Sequence, residues 1–160
     1  MKFPLAIELV SFSHANAEAA GVYPFCSPDS RTFQHIFDVR YLPNPFNEPT
    51  LRDLNGLDKA VRQYVLQSLS THLWTLMSEV VRTLLKKAAD EPADAAPLTV
   101  RFCFGCTGGK HRSVALAAEF HDWLMNTHGD ECLSISIRHL ALETLGVTTP
   151  PLGQPTGAIV

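Results

Sequence analysis

Residues 98–113 carry the sequence LTVRFCFGCTGGKHRS, and this stretch decides the fold. Residues 98–104 are rich in apolar and β-prone side chains and predict a strand. Residues 105–111 are glycine-rich and predict a loop, while residues 112–127 place apolar side chains at helical spacing. A strand, a loop and a helix in this order form the repeating unit of α/β folds, so we expect a sheet of mostly parallel strands.

The flanking segments supply the remaining elements of one small domain. Apolar runs predict strands over residues 5–12, 33–41 and 132–137. Helical periodicity over residues 57–69 and 71–89 predicts one bent helix or two separate helices. Asn55 or Gly56 is expected near the start of the first run, and Gly129 is expected to end the helix that follows the loop.

The fold class that we expect is α/β, with a single compact domain over residues 1–146. Its mixed or mostly parallel sheet of about four strands is flanked by helices, with a phosphate-binding loop between a strand and a helix. Residues 13–30, with Gly21, Pro24 and Pro28, predict a long loop. Residues 147–160 predict a flexible tail rich in proline and glycine.

Composition narrows the range of partners. The 160 residues are 46% hydrophobic and 18% charged, as in ordinary globular domains, and the net charge is −3. This charge does not favour a basic surface for nucleic acid or anionic lipid. No apolar run approaches the length of a membrane span, and Glu8 interrupts the apolar N-terminus, so we expect a cytoplasmic protein that does not bind membranes.

The loop at residues 105–113 has the chemistry of an anion site. A helix N-terminus offers unpaired N–H groups with a partial positive charge, and glycines let the backbone curl around an anion. Lys110 and Arg112 add full charges, while Thr107 and Ser113 add hydroxyl donors. We therefore expect a phosphate group as the ligand, although a plain glycine-rich turn between two elements is the simpler alternative.

Two known phosphate motifs compete for this loop. The G-x-x-x-x-G-K-[ST] pattern of nucleotide enzymes fails, because His111 follows Lys110. The Cys-x-x-Gly-x-x-Arg-Ser pattern of cysteine phosphatases matches at Cys106, Gly109, Arg112 and Ser113. In such an enzyme Cys106 would be the nucleophile and Arg112 would hold the phosphoryl group. The departures are Gly105, where these phosphatases usually carry histidine, and the lack of an evident acid loop.

No metal or other cofactor is expected. Cys103 and Cys106 form a lone Cys-x-x-Cys pair, which lacks the two further ligands that a metal site needs. Alternation along the predicted strand points Cys103 into the core, and Cys132 is likewise expected to be a small buried apolar residue.

Several segments together resemble a known family, the C-terminal domain of the RNase adapter protein RapZ. They are residues 37–45, 56–62 and 105–114, followed by the Arg138–His139 pair and residues 142–143. Their order and approximate spacing also agree over about residues 5–144. Three separate motifs in order are much more specific than the loop alone.

The resemblance implies a domain that senses a phosphorylated small molecule and does not turn it over. The implied ligand is an amino-sugar phosphate such as glucosamine-6-phosphate, or else a nucleotide. Cys106 to Arg112 would surround the phosphate, and Asp38 and Asn44 would face the sugar. The candidate ligand residues are Asp38, Asn44, Cys106, Thr107, Gly108, Gly109, Lys110, His111, Arg112, Ser113, Arg138 and His139.

The resemblance also brings possible partners and some departures. An RNA-binding adapter is the weaker alternative, and a protein partner or a homo-oligomer is also implied. Phe46 stands where the family has a histidine, Leu140 replaces an arginine, and the C-terminal end is uncharged instead of basic. The lost basic end removes the most obvious source of contacts to RNA phosphates.

Asp38, Arg40 and Asn44 have structural alternatives. A buried salt bridge or strand-end hydrogen bonds would equally account for Asp38 and Arg40. Asn44 lies between two prolines, and its side chain would serve as well to cap the backbone of its own turn.

Overall fold

Strands and helices alternate along the chain in the computed structural model, which describes residues 2–20, 29–92 and 94–147. The strands are β1 (Phe3–Ser13), β2 (Thr32–Asp38), β3 (Leu98–Cys106) and β4 (Cys132–His139). The helices are α1 (His14–Ala20), α2 (Lys59–Leu66), α3 (Thr71–Ala89), α4 (Arg112–His128) and α5 (Leu140–Thr144), with a short 3-10 turn at Pro45–Asn47.

The four strands form one sheet in the order β2-β3-β1-β4, and all three neighbouring pairs are parallel. The α/β class and the strand number are therefore confirmed, and the sheet is wholly parallel. Parallel strands end at the same edge, so the carboxyl ends of β1, β2, β3 and β4 lie side by side. That edge holds Ser13, Asp38, Cys106 and His139.

One face of the sheet carries the main core. Alternate residues of β1, namely Leu5, Ile7 and Leu9, are almost fully buried and belong to one apolar cluster with residues of α3 and α4. Phe102 of β3 packs edge-on against Phe120 of α4, with ring centres 5.3 Å apart. Each such buried side chain contributes about 1.5–3 kcal/mol of transfer free energy, which fixes α4 against the sheet.

The connections leaving β1 and β3 diverge. From β1 the chain enters α1, whose Ala17 packs with Phe12 and Cys103 in a separate cluster. From β3 it enters α4, which joins the main core. The connection from β1 runs along the sheet in one direction, to β2, and the connection from β3 runs in the other direction, to β4. The gap between the carboxyl ends of β1 and β3 is therefore a topological switch point. In open α/β sheets, ligands bind at such points.

The predicted loop at residues 13–30 is wrong for its first part, because α1 occupies His14–Ala20. Ser13 Oγ accepts a hydrogen bond of 3.0 Å from the N–H of Asn16 and so caps this helix. The prediction of a loop was based on Gly21, Pro24 and Pro28, which lie outside the described residues. The alanine-rich run before them has the high helix propensity that the structure realises.

Most element boundaries differ from the prediction by one to three residues, and two of these differences have a clear cause. The second strand ends at Asp38 instead of residue 41, because Asp38 Oδ1 accepts from the N–H of Arg40 and turns the chain. Helix α2 begins at Lys59 instead of residue 57, because Asp58 Oδ2 accepts from the N–H of Asn55 and closes a turn before it. The two helical runs are two separate helices.

Other expectations concern single residues and the chain end. The fourth helix ends at His128 beside Gly129 as predicted, although Gly129 keeps a right-handed φ of −58°. Cys103 and Cys132 are fully buried, which confirms their assignment to the core. Of the tail predicted over residues 147–160, residues 148–160 lie outside the described part of the chain, and the N–H of Val147 donates to the carbonyl of Leu142.

None of the helices in the described residues is both long and apolar enough to cross a bilayer. Among the same residues, no group of three or more His, Cys, Asp or Glu side chains is arranged to hold a metal ion.

Candidate functional site

The glycine-rich loop, residues 107–111, folds back over the carboxyl end of β1. Gly109 has a φ of +66°, a conformation that favours glycine. A Cβ on Gly109 would lie 2.7 Å from the Cβ of Ala141 and 2.8 Å from the backbone nitrogen of Ser13. The backbone therefore approaches β1 and α5 more closely than any side chain would allow.

The other two glycines of this stretch have opposite surroundings. A Cβ on Gly105 would lie 2.5 Å from atoms of both His14 and Phe12, so β3 needs glycine there to pack against them. Gly108 has no atom within 4 Å of the place where its Cβ would lie. The outer turn of the loop is therefore open to a ligand.

Backbone carbonyls anchor the loop at both ends. The carbonyl of Thr107 accepts from Ser13 Oγ at 2.7 Å and from the N–H of Ala15 at 3.1 Å. The carbonyl of Lys110 accepts from the N–H of Gly56 at 2.9 Å. A Cβ on Gly56 would lie 2.3 Å from the carbonyl oxygen of His111, so the segment resembling the second family motif is pressed directly against the loop.

The loop and the start of α4 present several unpaired donors. Within the described residues, the N–H groups of Gly108, Gly109 and Lys110 donate to no backbone or side-chain acceptor. The same holds for the N–H groups of Arg112 and Ser113, and no side chain caps the helix. Unpaired N–H groups at a helix N-terminus, together with the helix dipole, attract anions.

Two cationic residues, Lys110 and Arg112, belong to this stretch, and Arg52 lies on the segment that Lys110 contacts. Lys110 Nζ lies 3.4 Å from the carbonyl oxygens of Arg52 and Asp53. Arg52 Nε donates to the carbonyl of Phe46 at 2.9 Å. In the part of the chain that the structure describes, Arg52, Lys110 and Arg112 have no carboxylate within 4 Å. Their positive charge is thus not neutralised by a neighbouring acidic side chain.

Arg112 also joins the loop to the segment after β2. The residue is buried, and its guanidinium donates through Nη1 to the carbonyls of Arg40, at 2.5 Å, and Leu42, at 3.4 Å. Nη2 donates to Thr107 Oγ1 at 3.4 Å. The sequence had indicated only a phosphate-binding role for this residue, and the structure adds a structural one.

His111 is buried, and its ring contacts the backbone of Arg52 and Leu54. Its Nε2 lies 3.2 Å from the carbonyl oxygen of Arg52, so this nitrogen carries the hydrogen. Burial of the ring, with a smaller effect from the Lys110 charge, lowers the pKa of His111 below its ordinary value. The imidazole is therefore a neutral donor that fixes the turn at residues 52–53.

Cys106 lies at the end of β3, beneath the loop. Its Sγ is 3.1 Å from Ser113 Oγ, and both residues are at least 98% buried. This contact joins the last residue of the strand to the first turn of α4. The two polar side chains are satisfied by each other instead of facing the solvent.

A second buried polar pair joins β1 to β4 near their carboxyl ends. Ser11 Oγ is 2.8 Å from Nδ1 of His139, and both side chains are almost fully buried. Burial lowers the pKa of His139 to about 4, so the ring is neutral at pH 7. Sequence reasoning missed Ser11 and Ser13, and the only available signal was a serine repeated every second residue at the end of an apolar strand.

The remaining predicted residues share this edge of the sheet but are engaged elsewhere. Both carboxylate oxygens of Asp38 accept from the guanidinium of Arg40, at 2.6–3.0 Å. These bonds lower the pKa of Asp38 to about 2. Asn44 Oδ1 accepts from the N–H of Phe46 at 3.3 Å, and Arg138 pairs with Glu143 at 2.7 Å. The salt bridge and the turn cap expected as alternatives for Asp38 and Asn44 thus both form, but the Asp38–Arg40 pair is about half exposed and not buried as predicted.

The loop itself is open to solvent at Gly108. Two surface depressions, of about 370 and 430 Å³, lie elsewhere. The first follows the end of α3 around Lys86 and Glu91, and the second lies on the sheet between Glu8, Arg101 and Arg138.

Comparison with known proteins identifies the family. The model of the RapZ C-terminal domain matches residues 5–143. A nucleotide-binding protein of Petrotoga mobilis is 32% identical over 139 residues, which is 87% of this chain and 42% of that protein. A nucleotide-binding protein of Heliobacterium modesticaldum is 37% identical over 136 residues, covering 84% of this chain and 39% of that protein.

A third relative, a nucleotide-binding protein of Desulforudis audaxviator, is 38% identical over 109 residues, covering 65% of this chain and 33% of that protein. The chain thus spans about two fifths of the length of these curated relatives or less. The matched region contains β2, β3 and β4, all but the first two residues of β1, and the glycine-rich loop. The chain belongs to the RapZ C-terminal domain family.

Proposed function

We propose that the domain binds a phosphorylated small molecule at residues 106–113. One observation carries the proposal: residues 106–113 combine unpaired N–H groups with Lys110 and Arg112, which have no carboxylate nearby in the described residues. Such a site favours a dianion, because both the helix dipole and the full charges act in the same direction. The relatives named nucleotide-binding proteins agree with a ligand of this kind.

The proposed contacts follow from the geometry of the loop. The N–H groups of Gly108, Gly109 and Lys110 would surround the phosphate, with those of Arg112 and Ser113 at the helix start. The side chains of Thr107, Lys110 and Arg112 would add hydroxyl and charged donors. Cys106 and His111 would shape the loop from below.

The other candidate residues would contact the rest of the ligand. Asp38, Asn44, Arg138 and His139 lie near the same edge of the sheet, and we propose them as residues around the organic part. An amino-sugar phosphate such as glucosamine-6-phosphate, or a nucleotide, is the proposed ligand class. Each of these four side chains already has a protein partner, which it would share or exchange on binding.

We propose sensing and not turnover as the activity, in a regulatory domain of the cytoplasm. A cysteine phosphatase needs an accessible thiolate. Cys106 is only 2% exposed and lies against Ser113, and Arg112 is engaged with the backbone of Arg40. The phosphatase alternative therefore has the sequence pattern but not the arrangement of an active nucleophile. For RNA binding, the net charge of −3 offers no support.

A thermal-shift screen with phosphate release followed in the same tube tests the proposal. The ligands are inorganic phosphate, glucosamine-6-phosphate and nucleoside monophosphates. A ligand that binds only the native state raises the melting temperature by mass action, so we expect stabilisation without release. Lys110→Gln should abolish the shift. Lys86→Gln removes an exposed lysine of α3 and is the matched control, because it should leave the shift intact.

Two results would contradict this account. If no phosphorylated ligand raises the melting temperature of the wild-type domain, the loop is a connecting turn. If phosphate is released and the release disappears in Cys106→Ser, the domain is an enzyme of the cysteine-phosphatase type.

A further inference from the structure

We infer that the ligand carries a nucleobase, which stacks on the exposed face of the Phe46 ring. This inference rests on the proposed function of the loop, and it narrows the ligand class from any phosphorylated small molecule to a nucleotide. Aromatic rings bind bases by stacking, since every base offers a π face. The residues that support it are Tyr41, Phe46 and Arg52.

Exposure of aromatic side chains is concentrated at one place. In the described part of the chain, the aromatic residues with the most exposed surface are Tyr41, at 61%, and Phe46, at 57%. Phe12, Phe102 and Phe104, in contrast, are fully or almost fully buried. An exposed aromatic ring offers an apolar face on which a planar group can stack.

Both exposed rings belong to the segment that the loop holds. Arg112 donates to the carbonyls on either side of Tyr41. Lys110 and His111 contact the carbonyl of Arg52. The guanidinium of Arg52 in turn lies 5.1 Å from the centre of the Phe46 ring. These contacts place Phe46 on the segment that borders the loop, and a ligand whose phosphate occupies the loop would extend towards its ring.

The Phe46 ring is held in place before any ligand arrives. Arg52 covers one side of it by a cation–π contact and donates to its carbonyl at 2.9 Å. Pro43 and Pro45 restrict the backbone, and Asn44 accepts from the N–H of Phe46. Because the ring is fixed, stacking on its exposed side requires little loss of conformational freedom.

The carboxylate proposed beside the organic part of the ligand is already paired. The carboxylate of Asp38, the natural partner of an ammonium, is bound through both oxygens to Arg40. Phenylalanine has no polar atom that would bind a sugar hydroxyl. A neutral base needs no carboxylate partner and uses the ring.

Isothermal titration calorimetry with matched ligands tests the inference. The ligands are adenosine 5′-monophosphate, ribose 5-phosphate and glucosamine-6-phosphate. Stacking that contributes as it does for single-stranded nucleic acids predicts a nucleotide affinity roughly 5- to 150-fold above that of ribose 5-phosphate. Phe46→Ala should remove this advantage and leave the ribose 5-phosphate affinity unchanged, while Phe46→Trp should retain it.

The control variant is Leu76→Ala, which removes another exposed apolar side chain, on α3. It should bind both ligands like the wild type. Equal affinities for the nucleotide and ribose 5-phosphate, with no effect of Phe46→Ala, would overturn the nucleobase inference and leave the phosphate site standing. Tighter binding of glucosamine-6-phosphate would also overturn it. Binding of none of the three ligands would refute the phosphate site and the inference together.

Discussion

Substituting alanine for Gly56 tests whether the loop is held by the segment before α2. The added Cβ would lie 2.3 Å from the carbonyl oxygen of His111 and 2.5 Å from the backbone nitrogen of Ala115. Both are backbone atoms at the start of α4, so no side chain can rotate to relieve the contact. The segment must instead move away, and the bond from the N–H of Gly56 to the Lys110 carbonyl is lost.

The expected loss of stability combines two effects. Overpacking of a close contact costs about 1–3 kcal/mol, and a lost intramolecular hydrogen bond costs about 1 kcal/mol. We therefore expect Gly56→Ala to lower the free energy of unfolding by about 2–4 kcal/mol. For a chain of this length, that is a melting temperature lower by roughly 5–15 °C. Urea unfolding followed by circular dichroism measures the first quantity and a thermal scan the second.

Gly108→Ala is the matched control. A Cβ at Gly108 meets nothing within 4 Å, and the residue does not have a positive φ. Alanine there should leave stability unchanged or raise it by up to about 1 kcal/mol, through a less flexible unfolded chain. If Gly56→Ala and Gly108→Ala unfold alike, the close approach of Gly56 to the loop is refuted.

Three further outcomes are expected. Arg40→Gln should raise the pKa of Asp38 from about 2 towards its ordinary 3.8 in a carboxyl NMR titration, because the hydrogen bonds from Arg40 are the main reason why this pKa is low. An unchanged pKa would exclude the pairing of Asp38 with Arg40. His139 has a pKa of about 4 in the fold, whereas in the unfolded chain it takes up a proton near its ordinary pKa of 6.5. Stability should therefore fall by on the order of 3 kcal/mol between pH 6.5 and pH 4. His139→Gln should show a weaker dependence of stability on pH, and an equal dependence would contradict the assignment. Cys106 should react with iodoacetamide far more slowly in the native domain than in urea, as mass spectrometry of the labelled peptide would show, and rapid native labelling would favour the phosphatase alternative.

The sequence predicted the elements whose side chains follow a clear period. Strands β1, β3 and β4 and helix α4 were predicted because their apolar residues alternate or recur at helical spacing. The predicted site loop lies between β3 and α4 as expected, although Gly105 and Cys106 belong to the strand. Helix α1 was missed because the glycine and prolines after it outweighed its alanine-rich run.

The contacts that organise the site were beyond the reach of the sequence. Whether Arg112 faces a ligand or the carbonyls of Arg40 and Leu42 depends on where the segment after β2 lies, and no local pattern encodes that. The same applies to the buried pair of Ser11 and His139, which are far apart in the chain and meet only through the pairing of β1 with β4. Long-range pairing decides these contacts.

Titration of the ¹⁵N-labelled domain with inorganic phosphate, followed in two-dimensional amide NMR spectra, tests the central claim most directly. It reports on the individual N–H groups that are unpaired in the fold. The account predicts saturable shifts that are largest at Gly108, Gly109, Lys110, Arg112 and Ser113. Shifts confined to other basic positions, such as Lys86 and Lys87 at the end of α3, would contradict it, as would the absence of any saturable change in the loop.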